Sequence, residues 1–345
     1  MKEGYRPRIT PWSIDESLSS SLTSFEDMAK FLVSYAILAP SGHNTQPWRF
    51  AIKSNSVEVY ADYSRRLPVA DGDDRELTMS IGAAITNLEV AAAHFGLKNE
   101  VRYHSGNDKE LMARVILQKG DADKGLLDLF PAITGRRTNR LAFKDRELEA
   151  GDLEKLRRNS TFGQTSVQLV TDKGMKDRLA ELIDEGDRVR MADRSFRKEL
   201  GDWIRPAKSI ADDGLMTDSI GIPGFLSWAG PWMMRTFNIG KSQGKKDADL
   251  AAKSAAIAVV LGSDSRDNLL DAGRLFERFT LTLTNMGMGY SFFNLPVEVP
   301  ALRVKLKAFL DIGVLPQLLF RIGYAHPPDK AAPRRAVESV LLRES

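Results

Sequence analysis

Hydrophobic positions follow two spacings along this chain, and together they predict a mixture of helices and strands. Apolar residues three and four positions apart indicate amphipathic helices, whereas short apolar or alternating runs between turn residues indicate strands. The first helix is predicted to begin after Ser24, whose hydroxyl can cap it, and to bury Phe25, Met28, Phe31, Leu32 and Tyr35. Further helices are predicted over Glu76–Phe95, Gly151–Arg158, Met175–Leu200, Leu269–Met286 and Pro300–Leu310. Strands are predicted over Trp48–Ile52, Val57–Tyr60, Leu111–Leu117, Val167–Thr171, Ala255–Gly262 and Gln317–Gly323.

Two of the predicted helices resemble each other in the spacing of their glycines. The segment IGAAITNLEVAAAHFGL contains Gly82 and Gly96, and AGRLFERFTLTLTNMGM places Gly273 and Gly287 at the same separation. A glycine inside a helix costs about 1 kcal/mol relative to alanine, so Gly82 and Gly273 indicate close helix packing. The pattern predicts an internal duplication in which the two long helices pack as a pseudo-symmetric pair.

A short loop between a helix and a strand is unusually rich in polar groups. The stretch Leu38–Phe50 reads LAPSGHNTQPWRF, and its turn is built by Pro40, Gly42 and Pro47. Its hydrogen-bonding side chains are Ser41, His43, Asn44, Thr45, Gln46 and Arg49. A surface turn needs only one or two such groups, so the density indicates a site for a polar, flat ligand.

The second polar cluster is basic. Gly135–Arg140 reads GRRTNR, and guanidinium groups beside a threonine hydroxyl are suited to phosphate. Another pair, Arg334–Arg335, lies near the C-terminus and would complete one phosphate clamp if that end of the chain folds back. The alternative is a solvated basic loop. The glycine patterns of Walker and Rossmann phosphate loops are absent from the sequence.

The segment Gly201–Leu250 has no clear periodicity but is rich in tryptophan, proline and glycine. A long apolar insertion of this kind predicts a lid or binding loop. The alternative is a surface excursion that packs on its own domain. Its longest uncharged stretch, Ile220–Met234, is too short to span a bilayer.

Composition narrows the functional classes further. The 345 residues exceed what one core usually contains, and the net charge of +3 is too mild to indicate nucleic acid or a membrane surface as partner. Cysteine is absent, which excludes thiol catalysis and thiolate metal sites. The four histidines have no metal-ligand spacing, and the acids of Asp71–Glu76 are interpreted as helix-start charges rather than a cation site, so no metal is expected. No signal peptide is recognised, and a cytoplasmic location is expected.

The motifs, taken together, resemble the nitroreductase superfamily. APSGHNTQPWRF is similar to its flavin loop, GAAITNLEVAAAHFGL to its central helix, RRTNR before Phe143 to its Arg-x-Ser/Thr-x-Arg phosphate motif, and RIGYAHPP…PRRAVESVL to its C-terminal strand and basic tail. In most members the arginine motif precedes the flavin loop. Here that order is inverted, as in the tandem single-chain, Acg-type branch. The resemblance covers most of residues 24–343 and is weakest over 201–250.

This resemblance implies an α+β, nitroreductase-like fold with two half-domains, each a mixed sheet flanked by helices. The halves are expected at residues 1–134 and 135–345, the second carrying the lid-like insertion 201–250. They would form an intrachain pseudo-dimer, so the protein is expected to be monomeric or a weak homodimer. RPRITPWSID is a poor substitute for a first-half arginine motif, so one FMN per chain is expected.

The resemblance also implies which residues bind FMN. The ring and ribityl chain would lie along Ser41, Gly42, His43, Asn44 and Gln46, and the phosphate on Arg136, Thr138, Arg140 and Arg335. Ser291 and Asn294 belong to Gly289–Asn294, GYSFFN, which is similar to the family segment over flavin N5. Alternatives stay open for single residues: His43 as a brace of the loop, Arg137 pointing outward, Asn87 as a helix–helix contact, and Trp48 as core.

The implied activity is that of an FMN-dependent oxidoreductase using NAD(P)H. Hydride would pass to flavin N5 and then to a small-molecule acceptor, a nitroaromatic or quinone, with ping-pong kinetics. No catalytic protein residue is expected because the flavin performs the chemistry. The rival hypothesis is a flavin-storage protein in which the 201–250 insertion covers FMN and prevents turnover. A phosphate-ligand regulator without redox chemistry would leave the polar loop unexplained.

Overall fold

The computed structural model describes residues 11–121 and 123–342. Residues 6–10, which hold the arginines of the N-terminal motif considered above, lie outside the described residues. The α-helices are α1 (Phe25–Ala36), α2 (Arg75–His94), α3 (Lys124–Leu127), α4 (Phe130–Ile133), α5 (Ala150–Arg158), α6 (Lys173–Ala192), α7 (Arg194–Trp203), α8 (Gly230–Thr236), α9 (Gly240–Ala252), α10 (Arg266–Asn285), α11 (Leu295–Glu298), α12 (Pro300–Phe309) and α13 (Val337–Val340). The strands are β1 (Trp48–Lys53), β2 (Ser56–Ala61), β3 (Leu97–Tyr103), β4 (Leu111–Lys119), β5 (Thr161–Phe162), β6 (Thr165–Val170), β7 (Ile204–Arg205), β8 (Leu215–Met216), β9 (Ala256–Gly262), β10 (Met288–Phe292) and β11 (Leu315–Tyr324).

Most predicted elements are present, and the exceptions have local causes. Ser24 caps α1 by accepting from the Asp27 amide, as predicted. The single helix predicted over Met175–Leu200 is wrong because Asp193 ends α6 and caps α7, accepting from the Ser195 amide. Strand β3 was not predicted, since its side chains alternate only between partly buried and exposed and leave a weak pattern.

Two sheets form the two ends of the α+β architecture. The first has strand order β1-β2-β4-β3 and the second β10-β11-β9-β6-β5. Neighbouring strands within these two sheets are antiparallel. Each sheet also has one parallel bridge at one edge: Phe50 pairs with Leu341 at β1, and Thr138 pairs with Tyr290 at β10. The mixed character predicted for the sheets is therefore confirmed, with parallel pairing in these two sheets confined to the two bridges. The short strands β7 and β8 form a separate two-stranded sheet, which is parallel.

Helices α2 and α10 lie between the sheets, each packed on the sheet of its own half and against the other helix. They cross where both lack a side chain: a Cβ on Gly82 would lie 2.2 Å from the Leu270 carbonyl oxygen, and one on Gly273 1.9 Å from that of Met79. The predicted close packing of the two long helices is confirmed. Glu89 of α2 and Arg274 of α10 form a largely buried ion pair of 2.8 Å across it.

The C-terminal segment crosses back to the first half of the chain. The Leu342 amide donates to the Phe50 carbonyl oxygen at 2.7 Å, and Val340 is buried in the first hydrophobic core. The boundary between residues 134 and 135 stays a prediction, but the tail belongs to the first core by contact. None of the helices in the described segments has the length and apolar character needed to cross a membrane.

Candidate functional site

The polar loop that follows α1 is held in a strained backbone conformation. Three of its non-glycine residues have positive φ: His43 at 49°, Asn44 at 57° and Gln46 at 54°. Such conformations cost free energy, so the surroundings must impose them, and they concentrate at functional sites. The Ser41 hydroxyl accepts from the Gln46 amide at 2.9 Å and closes the loop on itself.

Gly42 is a glycine because protein atoms crowd it. A Cβ at this position would lie 3.1 Å from Oε2 of Glu76 and 3.3 Å from the Leu67 side chain. Both contacts, one of them from the first turn of α2, favour a small residue at this position.

His43 lines the cavity described below and carries a neutral imidazole at physiological pH. Its Nε2 atom is buried and without a hydrogen-bond partner among the described residues. Burial, with Arg140 and Arg190 nearby, lowers the pKa of His43 from 6.5 to about 4. A neutral ring with one unused nitrogen can either donate to or accept from a ligand.

We expect His43→Asn to reduce the loss in free energy of unfolding that the protein undergoes as pH falls from 6.5 to 4. The His43 imidazole binds a proton near pH 6.5 in the unfolded chain but only near pH 4 in the folded chain. The stability contributed by the neutral imidazole is thus present above pH 6.5 and lost as pH falls toward 4, by about 3 kcal/mol. Asparagine tolerates positive φ and does not titrate. Urea unfolding of both proteins at pH 7 and pH 4 measures the effect, and a pH-independent difference between them would contradict it.

Arg136 is fully buried and already has partners inside the protein. It forms an ion pair with Glu277 of α10 at 3.1 Å and donates to the Leu38 carbonyl oxygen at 2.8 Å and to the Tyr290 hydroxyl. Its guanidinium therefore links the arginine segment, α10 and the end of the polar loop. Arg136 lines the cavity, but its first role in the structure is this link.

The other arginines of the two basic clusters differ in placement. Arg140 is exposed toward the cavity, and no hydrogen bond or ion pair is found for it among the described residues. Arg137 stacks on the Trp12 ring at 3.7 Å instead of pointing freely outward. Arg334 is buried and donates to Asn44 Oδ1 at 2.8 Å and to the Ala39 carbonyl oxygen at 3.0 Å.

Two residues predicted to bind FMN do not line the cavity. Gln46 is fully buried, with its amide donating to the Asp212 carbonyl oxygen at 2.8 Å and accepting from the Arg335 amide at 2.8 Å. Arg335 lies against Asp62 at 3.7 Å. Arg335, which the resemblance assigned to the phosphate, does not line the cavity, because consecutive side chains of the extended tail diverge and Arg334 takes the inward position.

One cavity of about 920 Å³ brings the remaining predicted residues together. Groups from both halves of the chain and from the 201–250 segment form its wall. The predicted residues along it are Ser41, Gly42, His43, Asn44, Arg136, Thr138, Arg140, Ser291 and Asn294. The C-terminal segment folds back so that Arg334 and Arg136 both donate to the Leu38 carbonyl oxygen, which meets the condition stated above for a joint phosphate clamp.

Several cavity residues were not predicted as site residues, and two of these are acids in contact. Glu76 and Glu298 lie against each other, and the Asn294 amide donates to Glu76. Burial raises the pKa of Glu298 to about 7, and it raises the pKa of Glu76 too. Glu76 had been interpreted only as a helix-start charge, a role that Asp71 fills by accepting from the Glu76 and Leu77 amides.

The 201–250 segment forms a wall of the cavity and is fastened to the polar loop. Asn44 donates to the Gly214 carbonyl oxygen at 3.1 Å, and Asp213 forms ion pairs with Arg65 and Arg205. Of the two alternatives for this segment, the contacts favour the one that covers a site. Among the described residues no group of three or more potential metal ligands occurs.

Comparison with known proteins places these features in a family context, although no family model matches the chain. A Mycobacterium tuberculosis protein named "Putative NAD(P)H nitroreductase" is 28% identical over 333 residues, covering 92% of this chain and 93% of that protein. "Putative NAD(P)H nitroreductase acg" of the same organism is 28% identical, covering 91% of this chain and 95% of its own. "Probable NAD(P)H nitroreductase PigM" of Serratia is 22% identical, covering 92% and 94%.

Solved structures resemble the chain more weakly. A nitroreductase with bound FMN from Bacteroides fragilis is 15% identical, covers 63% of this chain and 92% of its own, and has a TM-score of 0.34. The sequence similarity to the mycobacterial proteins, in contrast, extends along nearly the whole of both chains. The chain is therefore similar, along nearly its whole length, to mycobacterial proteins named putative NAD(P)H nitroreductases, Acg among them.

Proposed function

We propose that this chain is an FMN-dependent oxidoreductase that takes electrons from NAD(P)H and passes them to a nitroaromatic or quinone-like acceptor. The observation that supports it best is the cavity in which the polar loop of one half faces the arginine segment of the other. The class of reaction is taken from relatives that are named putative NAD(P)H nitroreductases and that match this chain over nearly their whole length. When bound, FMN supplies the centre that accepts and donates hydride.

The charges of the cavity suit a phosphate. Arg136, Arg137 and Arg334 lie close enough that burial and mutual repulsion lower the pKa of Arg334 to about 9 and that of Arg137 to about 10. The buried carboxylate near them is that of Glu277, so positive charge is in excess. A phosphate dianion would relieve this repulsion, and guanidinium groups bind it in charge-assisted, often bidentate, hydrogen bonds.

The residues of this chain divide the binding task by position. Arg140 and Arg334, with the Thr138 hydroxyl, would hold the phosphate. Within the described parts of the chain Arg140 has no hydrogen-bond or ion-pair partner, and the hydrogen-bond acceptors of Arg334 are neutral. The loop residues 41–44 and the pair Ser291 and Asn294 would border the flat ring system from opposite halves of the chain. Arg334 thus replaces Arg335 in the proposal.

An anaerobic titration of the purified, FMN-loaded protein with NADPH and then NADH tests the proposal. Loss of the flavin absorbance, followed by its return on adding nitrofurazone without oxygen, is the expected result. A flavin that neither donor reduces would remove the oxidoreductase proposal and leave a binding protein. A protein that does not take up FMN at all would remove the flavin site itself.

We expect Arg140→Ala to weaken FMN binding by about tenfold or more without loss of stability. A charge-assisted hydrogen bond contributes about 1.5–3 kcal/mol, and this guanidinium has no internal partner to lose. Fluorescence titration of the apoprotein with FMN measures the affinity. Arg158→Ala, which removes a surface arginine paired with Glu154, is the control and should bind FMN like wild type. Equal affinities of the Arg140 variant and the control would contradict the phosphate assignment.

Flavin storage is kept as a second candidate because contacts hold the 201–250 segment, which forms part of the cavity wall, against the polar loop, where it could cover FMN. Asp213→Asn removes the ion pairs with Arg65 and Arg205, so we expect it to open the segment and speed NADPH-dependent reduction of nitrofurazone about fivefold. Asp249→Asn, which breaks an exposed pair with Lys253 and does not change a cavity-lining residue, is the matched control. An unchanged rate in the Asp213 variant would show that this contact does not restrict access.

A further inference from the structure

The part of the cavity wall that α6 and α9 form contains two carboxylates, one from each helix. Asp187 of α6 and Asp247 of α9 both line it. The helices approach closely at two glycines: a Cβ on Gly240 would lie 2.9 Å from the Asp187 carbonyl oxygen, and one on Gly244 2.9 Å from that of Asp184. This close packing brings the two acids to one surface of the cavity.

Asp187 is buried, and its carboxylate has neither an ion pair nor a hydrogen bond among the described residues. It is 2% exposed, and its Oδ2 atom is without a partner. Three other buried acids do have partners: Glu89 forms an ion pair with Arg274, Glu277 forms one with Arg136, and Asp71 accepts hydrogen bonds from the Glu76 and Leu77 amides. A buried polar group without a partner is costly, so its presence in a cavity wall points to a ligand.

The charges that face Asp187 are of its own sign. Burial, Asp247 and Asp184 all raise the pKa of Asp187, to about 8. The cations of this region act on Asp247 instead, where Lys246, Arg321 and Arg140 offset the effect of burial on its pKa. Of the two carboxylates on this wall, Asp187 is therefore the one that a bound positive charge would stabilise more.

We propose that Asp187, with Asp247 beside it, binds a protonated amine of the substrate, so that the preferred acceptor is a cationic, amine-bearing nitroaromatic or quinone. The identification of the ligand as an electron acceptor rests on the proposed function, but the amine site does not. An ammonium offers three donors and the charge that the carboxylate lacks. Ile183, Met191 and Ile239 line the same wall and would pack on the apolar body of the ligand.

Binding of an ammonium by Asp187 is coupled to proton release. Below pH 8 the Asp187 carboxyl carries a proton in the unliganded protein, and it must give that proton to solvent when the ammonium binds. The affinity for a cationic ligand should rise as pH increases from 6 to 8. The neutral analogue should show no such dependence.

Ligand-observed NMR on the oxidised, FMN-loaded full chain, without NAD(P)H, tests the amine site. The probes are 4-nitrobenzylamine and the neutral 4-nitrobenzyl alcohol. We expect wild type at pH 8 to bind the amine about tenfold or more tightly than the alcohol, and Asp187→Asn to abolish that ratio. Asp177→Asn is the matched control, because Asp177 is also on α6, forms an exposed pair with Lys173 and does not line the cavity.

Calorimetry of amine binding to wild type at pH 7, in buffers of different ionisation enthalpy, gives a second measurement that needs no variant. Release of about one proton is expected. The proposal is overturned if wild type binds both probes equally or neither, if no proton is released, or if Asp187→Asn weakens both probes alike. Amine preference, with no reduction of either probe when NADPH and then NADH are added afterwards, would keep the amine site and remove the oxidoreductase function instead.

Discussion

Gly273→Ala is expected to lower the free energy of unfolding by about 2 kcal/mol or more. The added methyl would lie 1.9 Å from the Met79 carbonyl oxygen and 2.7 Å from its carbon. These are backbone atoms of α2, so no rotamer change relieves the clash and the two helices must separate. Overpacking of this kind costs about 1–3 kcal/mol or more, which outweighs the gain of about 1 kcal/mol in helix propensity.

Gly151→Ala provides the control for this experiment. Gly151 is also helical, in α5, and a Cβ there would meet no atom within 4 Å. This variant should be as stable as wild type or slightly more stable, because only the propensity term remains. Urea unfolding of the three proteins measures both effects. If the Gly273 variant unfolds at the same urea concentration as the Gly151 variant, the helices are not held at that distance in solution.

Arg136→Ala is expected to cost about 3–5 kcal/mol of stability, because it leaves the carboxylate of Glu277 buried without its partner. Arg136 is 2% exposed and Glu277 is fully buried, so water does not compensate the lost charge. The variant also loses the hydrogen bonds to the Leu38 carbonyl and the Tyr290 hydroxyl. Thermal and urea unfolding of the apoprotein measure this loss without any contribution from bound FMN.

A comparison of two arginines separates stability from ligand binding. Arg140→Ala should leave apoprotein stability within about 0.5 kcal/mol of wild type, since surface substitutions away from buried networks usually do. Arg136 and Glu277 replaced together by Met and Leu should recover part of the loss, because no lone charge is left buried. A fully stable Arg136→Ala protein would contradict the buried ion pair and return Arg136 to the role of a simple phosphate ligand.

These two predictions concern the same region because the candidate site and the interface between the halves share residues. Arg136 contacts α10 through Glu277 and the polar loop through the Leu38 carbonyl. The C-terminal tail adds Arg334, which donates to the carbonyl oxygens of Leu38 and Ala39. A change that loosens the helix pair should therefore weaken ligand binding as well as the fold.

Local sequence signals predicted the parts of the site that are continuous in the chain. The density of polar groups around Asn44 and the basic run around Arg136 each mark a segment that lines the cavity. The helix cap at Ser24 and the glycines at 82 and 273 were also readable, because capping and close helix packing depend on residue type at one position. Propensity, spacing and turn chemistry act over a few residues, and a single sequence displays them.

The tertiary structure decided which polar groups remain available for a ligand. The side chains of Gln46 and Arg136 already bind other groups of the protein. Arg334 rather than Arg335 faces inward, and Asp187 has no partner among the described residues. Each outcome depends on partners far away along the chain, as with Gln46 and the Asp212 carbonyl oxygen, and no local pattern encodes such partners. The sequence by itself determined the two polar segments, the elements that carry them and the family they resemble. Only the folded chain decided their pairing, because burial and hydrogen-bond satisfaction are properties of the packed molecule.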